Sequence, residues 1–138
     1  MKALTQAIFA KCAVGTSLHT AIGGRLFKGR APSSAAYPFI VYEVISDVPT
    51  DTFTEHIEEV MIQFSIFSSN RQSADEVEDL FGYLKTLYDN CELTISGYTH
   101  ILMTRGNASL MSEEVTTKAG TEEIWHYAVE YTVVMQKN

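Results

Sequence analysis

Gly24-Arg25-Leu26-Phe27-Lys28-Gly29-Arg30-Ala31 has the glycine spacing of a phosphate-binding loop. Such a loop also needs a lysine that reaches the phosphates and a hydroxyl that holds magnesium. Arg30 and Ala31 occupy those two positions, and no clear buried strand precedes the loop. The four histidines, His19, His56, His100 and His126, are far apart in sequence and lack metal-ligand spacing. His126 and Glu130 share one face of a candidate strand, but two ligands do not make a metal site. Glu58-Glu59 and Glu113-Glu114 look like paired carboxylates. General acid-base work needs one member raised by burial, and both pairs fall at polar positions where ordinary ionisation is expected. There is no Gly-x-Ser-x-Gly, Cys-x-x-Cys or His-Glu-x-x-His pattern. Cys12 and Cys91 form neither a disulfide framework nor a metal knuckle and read as small core residues of a reducing cytoplasm. Asn107-Ala108-Ser109 matches a glycosylation acceptor, which has no meaning without a secretion signal. The expectation is a protein with no catalytic residue, no bound cofactor and no metal.

Charge is more informative. The chain has 138 residues, a net charge of -7, 46% hydrophobic and 20% charged residues, the profile of one soluble globular domain over 1–138. No run approaches the ~20 apolar residues of a membrane span. The first residues alternate polar and apolar, so no secretion signal is expected. Residues 1–36 hold Lys2, Lys11, Arg25, Lys28 and Arg30 and no acid, whereas the other five basic residues and all seventeen acids follow. An acidic chain is a poor general nucleic-acid binder. Base stacking needs aromatics interleaved with cations, and only Phe27, between Arg25 and Lys28, meets that condition. Opposite charges set on separate faces would let one copy dock on the next.

The elements that hold these residues follow from periodicity. Leu4, Ala7, Ile8 and Cys12 predict a helix over 2–13 ended by Gly15, and Ser17 predicts a cap on a short turn to Ile22. Arg25 to Pro38 reads as an open basic segment. Phe39–Ile45 predicts a strand broken near Pro49, and 56–67 a second with Val60, Ile62, Phe64 and Ile66 on its buried face. Ser73-Ala74-Asp75-Glu76 fits a capping box that opens the strongest helix, to 89, with Val77, Leu80, Phe81, Leu84, Leu87 and Tyr88 in one stripe. Strands are expected at 92–96, 98–111 and 122–136, the last longer than a small core requires. The fold class is α+β: an antiparallel sheet with helices packed on one face, plus a long β-hairpin or arm.

The order of several short pieces carries a resemblance. Gly23-Gly24-Arg25-Leu26-Phe27 leads to Arg30-Ala31-Pro32, then to Ala36-Tyr37-Pro38-Phe39-Ile40-Val41-Tyr42. Ser46-Asp47-Val48-Pro49, Asp51-Thr52-Phe53 and Gln63-Phe64-Ser65-Ile66-Phe67-Ser68 follow, then the amphipathic helix and the closing strand. The chain resembles the tail-completion proteins of long-tailed phages, also called tail terminators or tail-to-head joining proteins, which occur in prophages and gene transfer agents as well. That resemblance implies a structural virion assembly protein, not an enzyme, placed at the tail-head junction and assembled in the bacterial cytoplasm. It implies a homohexamer ring that caps the tail tube and meets the tube protein on one side. A head completion or connector protein would lie on the other, with DNA passing through the lumen without specific binding and no membrane involved. Arg25, Lys28 and Arg30 are then the expected docking residues. The alternatives are another head-tail connector, such as a head completion or stopper protein, or a bacterial small-ligand-binding α+β domain.

Overall fold

A computed structural model describes residues 2–69, 73–117 and 120–138. In chain order the elements are helix α1 (Lys2–Lys11), helix α2 (Ser17–Ile22), strands β1 (Leu26–Lys28), β2 (Phe39–Pro49) and β3 (Ile57–Ser68), helix α3 (Asp75–Tyr88), and strands β4 (Tyr98–Thr117) and β5 (Gly120–Lys137). They make one five-stranded sheet in the order β1-β2-β3-β5-β4. All neighbours are antiparallel except β1 and β2, which are parallel. The α+β class therefore holds, with a mixed sheet and with β1 inside the segment expected to be open loop.

The alternation of β3 decides where the core lies. Val60, Ile62, Phe64 and Ile66 are fully buried, and their partners across β5, Val133, Tyr131, Val129 and Tyr127, lie on the same face. The α3 stripe of Val77, Leu80, Phe81, Leu84 and Tyr88 is buried with them, as are Leu4 and Ile8 of α1 and Leu18 and Ile22 of α2. Burial of this face is the main driving force for the fold.

Three phenols tie the layers together. The Tyr88 hydroxyl donates to the Ile8 carbonyl at 2.7 Å. That oxygen is one of the four carbonyls at the end of α1 that the helix itself cannot satisfy, and the N–H of Cys12 turns instead to the Phe9 carbonyl. The Tyr42 hydroxyl donates to the Thr5 carbonyl at 3.2 Å. The Tyr131 hydroxyl donates to Asp89, just past α3, at 2.5 Å, and Arg105 of β4 contacts the same carboxylate at 3.2 Å. Burial pushes the Tyr88 and Tyr131 phenols well up, so both stay protonated as donors.

Five local expectations change. Residues 92–96 form no strand; Leu93 and Ile95 instead drop singly into the core from irregular chain. β2 runs on to Pro49 past an irregularity between Val44 and Ser46, because a proline is tolerated at the end of a strand. The short helix is capped by Thr16, whose Oγ1 accepts from the His19 N–H at 3.3 Å, and α1 ends at Lys11. The capping box does not close: Ser73 Oγ accepts from the Asp75 N–H, but Glu76 is drawn away by the buried Ser68 hydroxyl at 2.7 Å. A hydroxyl removed from water binds a carboxylate strongly.

Tyr88→Phe keeps the ring but leaves the Ile8 carbonyl without its partner. Its expected cost is about 1–3 kcal/mol in chemical denaturation, whereas Tyr83→Phe, on the exposed side of α3, leaves the midpoint unchanged.

Candidate docking surfaces

The basic segment divides into one internal cation and two external ones. α2 ends in Gly23, whose φ of +59° lets its N–H turn back to the His19 and Thr20 carbonyls. A side chain there would be strained, and its Cβ would lie 2.8 Å from Arg25 Nη1. The Arg25 guanidinium folds over this turn and donates from Nε to the Pro38 carbonyl at 2.9 Å and from Nη2 to the Tyr37 carbonyl at 3.5 Å. Arg25 thus fastens the 29–38 connection to the end of α2. Lys28 and Arg30 stand exposed, and neither joins an ion pair among the described residues. The structure therefore separates Arg25 from the other two residues expected to dock.

Lys28 forms one wall of a groove between α1 and the β1–β2 edge. Its volume is about 480 Å³, and it is lined by Lys2, Thr5, Gln6, Phe9, Lys28 and Tyr42. Phe9 is 54% exposed, an aromatic on the solvent side of α1, whereas Tyr42 is buried and held to Thr5 by its hydroxyl. The groove is apolar at its floor and cationic at its rim.

The sheet face away from the core carries a second surface. Phe39 lies opposite Phe67, and Phe67 opposite His126. Their rings stack at centroid distances of 5.0 and 4.4 Å, and Tyr37 adds a further ring 5.1 Å from Phe39. The row ends in His126 Nδ1 against Glu113 Oε1 at 2.7 Å. His126 and Glu130 lie four positions apart on β5, and the partner that the strand register sets against the His126 ring is Glu113.

Two hairpins reach beyond the sheet. β3 pairs with β5 only as far as Trp125, so residues 113–117 of β4 pair with 120–124 of β5 as a two-stranded arm. Glu113, Glu114, Glu122 and Glu123 make it acidic; its tip, residues 118–119, lies outside the described residues. The β2–β3 hairpin is acidic as well. Its turn is closed by the Thr52 N–H on the Glu55 carbonyl and by Thr52 Oγ1 accepting from the Glu55 N–H. Ile45, Val48 and Phe53 stand exposed on it. Here the expectation of ordinary ionisation fails for Glu58. Partial burial, a hydrogen bond to Asp47 and that neighbour's charge all raise its carboxyl. The sequence hides this because Asp47 and Glu58 meet only through strand register.

Among the described residues no three histidines, cysteines or acids gather where a metal could bind, and no helix is long and apolar enough to cross a membrane. Two of the described grooves bring a thiol and an imidazole to the same lining, Cys91 with His100 and Cys12 with His19, and burial pushes both thiols up, away from the nucleophilic thiolate.

The model of the tail completion protein gp17 family matches residues 6–134. A chain in the solved virion of a native gene transfer agent particle superimposes with a TM-score of 0.76 at 10% identity, over 96% of this chain and 94% of that one. A second solved chain superimposes with a TM-score of 0.51 at 10% identity, over 96% of this chain and 94% of its own length. At such identities the likeness is one of fold. The MFS-type transporter PUL3 of Kluyveromyces lactis is 34% identical over 87 residues, and the chain spans only 16% of that protein's length.

Arg25→Ala frees two carbonyls and is expected to lower the melting temperature. Lys28→Ala and Arg30→Ala should leave stability within about 0.5 kcal/mol, as exposed substitutions do; thermal melts of the three variants separate the roles. Glu58 gives a pH dependence. Its raised carboxyl makes the folded state bind the proton more readily than the unfolded chain, so its penalty is present at neutral pH and relieved as pH falls through its folded value. Glu58→Gln should melt above wild type at pH 7, and the difference should close near pH 4.

Proposed function

Because the chain belongs to the tail completion protein gp17 family of structural phage tail proteins, we propose that it caps the tail tube as a hexameric ring, ends tail polymerisation and joins tail to head. The observation that carries this reading is the family match across residues 6–134, nearly the whole chain. The shared fold with a chain of a gene transfer agent virion supports a place in a phage-like particle.

The surfaces suit that work. A ring set between two other rings must present different faces to its neighbours in the ring, to the tube below and to the head connector above. Separated patches of opposite charge give such faces their specificity. Lys28 and Arg30 are the free cations of the basic segment and dock an acidic neighbour; Arg25 keeps their connection in place. The excess of acids elsewhere lets DNA slide through a lumen, since like charges repel its phosphates. The work is mechanical, and no residue takes a catalytic role.

Electron microscopy of a lysate lacking the gene tests the assignment. Overlong tail tubes beside tailless heads, corrected by adding the purified protein, are expected. Tails of normal length beside filled, tailless heads would move the protein to a neighbouring connector layer, and normal particles would end the reading.

A further inference from the structure

Among the described residues Phe53 is the most exposed large apolar side chain, with a relative exposure of 109%. It does not sit on loose chain. It is a central residue of the turn that the Thr52 and Glu55 backbone and the Thr52 hydroxyl close, and the Thr50 N–H binds the Ile57 carbonyl at the turn's base at 2.8 Å. Asp51 and Glu55 flank it. Across 47–59 the chain has five acids, Asp47, Asp51, Glu55, Glu58 and Glu59, and no lysine or arginine. The hairpin presents an aromatic knob flanked by acids, with the His56 imidazole against Asp51 at 3.4 Å. The α1–β1–β2 groove has the opposite character: a floor of Phe9 and Tyr42 and a rim of Lys2 and Lys28, in a volume of about 480 Å³.

We propose that Phe53 of one copy seats in the Lys2–Phe9–Lys28–Tyr42 groove of the next copy, with Asp51 and Glu55 facing Lys2 and Lys28. This rests on the ring reading above and names the contact that closes it. Knob and groove share strand β2, and from Tyr42 to Pro49 that strand covers about 23 Å, so one copy cannot fill its own groove. Two different patches that fit each other are a head-to-tail pair, and such a pair repeats around a ring when its rotation closes. The knob brings an aromatic to a half-exposed aromatic, and the charges on its rim oppose those of the groove. Both are the marks of a paired interface. Ile45 and Val48, 47% and 51% exposed on the same hairpin, extend the apolar strip towards the body of the next copy.

A photocrosslinking phenylalanine analogue, p-benzoylphenylalanine, replaces Phe53 in the full chain, which is added to the gene-deficient lysate and irradiated after tails are completed. Covalent dimers whose crosslinked peptides hold residues 2–9 or 28–42 are expected. Crosslinks to a tube or connector protein, to another region of the chain, or none at all would overturn the contact. In parallel, Lys2→Glu with Lys28→Glu should reduce tail completion at least tenfold, and Asp51→Lys with Glu55→Lys in the same chain should restore it. Failure of that restoration counts against the pairing as well. If wild-type protein fails to correct the lysate, the ring reading fails. If wild-type protein corrects it but the crosslinks fall elsewhere, only this contact fails.

Discussion

The hydroxyl of Tyr88 on the carbonyl of Ile8 is the contact on which the arrangement of surfaces depends. It lies where helix α1, helix α3 and the sheet meet. The Tyr88 ring packs 4.8 Å from Phe64 of β3 and 6.3 Å from Tyr131 of β5. A helix end brought into a core without partners for its carbonyls is costly, and α1 has only ten residues with which to offset that cost. One phenol satisfies the carbonyl and fixes the angle of α1 over the sheet. A second, Tyr42, holds the same helix to β2. The position of Phe9 and Lys2 above Lys28, and so the existence of a groove, follows from these two hydrogen bonds.

The sheet converts that anchored core into reach. β2 and β3 share one long register, with a single irregularity, and carry the acidic hairpin away from the helices. β4 and β5 outrun β3 and carry a second acidic hairpin past the point where sheet support ends. Residues on regular strands are placed more firmly than residues on free loops. The turn at Thr52–Glu55 is closed by its own hydrogen bonds, so the hairpin keeps its shape beyond the sheet. A protein that works by touching several neighbours at fixed spacing gains from such rulers more than from a deep pocket.

Much of this was legible in the residues. The α3 stripe and the alternation of 57–67 and 125–135 follow from burial of one face, which imposes a strict period on sequence. The open basic segment was also recognisable as a charge pattern, and the order of short pieces around it pointed to tail completion. What escaped depends on contacts between distant residues. β1 is three residues long between glycines and becomes a strand only because β2 lies beside it. Leu93 and Ile95 look like a strand, yet they lie in irregular chain and enter the core singly. Arg25, Lys28 and Arg30 look equivalent in sequence, and only the closeness of Pro38 and Tyr37 makes the first a fastener. Glu58 and Asp47 are eleven positions apart, so the contact that helps raise the Glu58 carboxyl is visible only through register.

The strength of each contact bears on how a ring of such subunits forms. One aromatic in one groove, rimmed by two ion pairs, buries much less than the ~800 Å² per partner of a stable interface. Exposed ion pairs add about 0–1 kcal/mol each, and salt screens them beyond roughly 8–10 Å. A pair of free subunits held by this contact alone is therefore short-lived. Closing a ring changes the count, because every subunit then has two such contacts and none can leave without breaking both. A template that holds subunits side by side raises their effective concentration further. In the proposed ring, a head-to-tail contact of this weakness would not hold filaments together in solution but would become cooperative on the end of a tube.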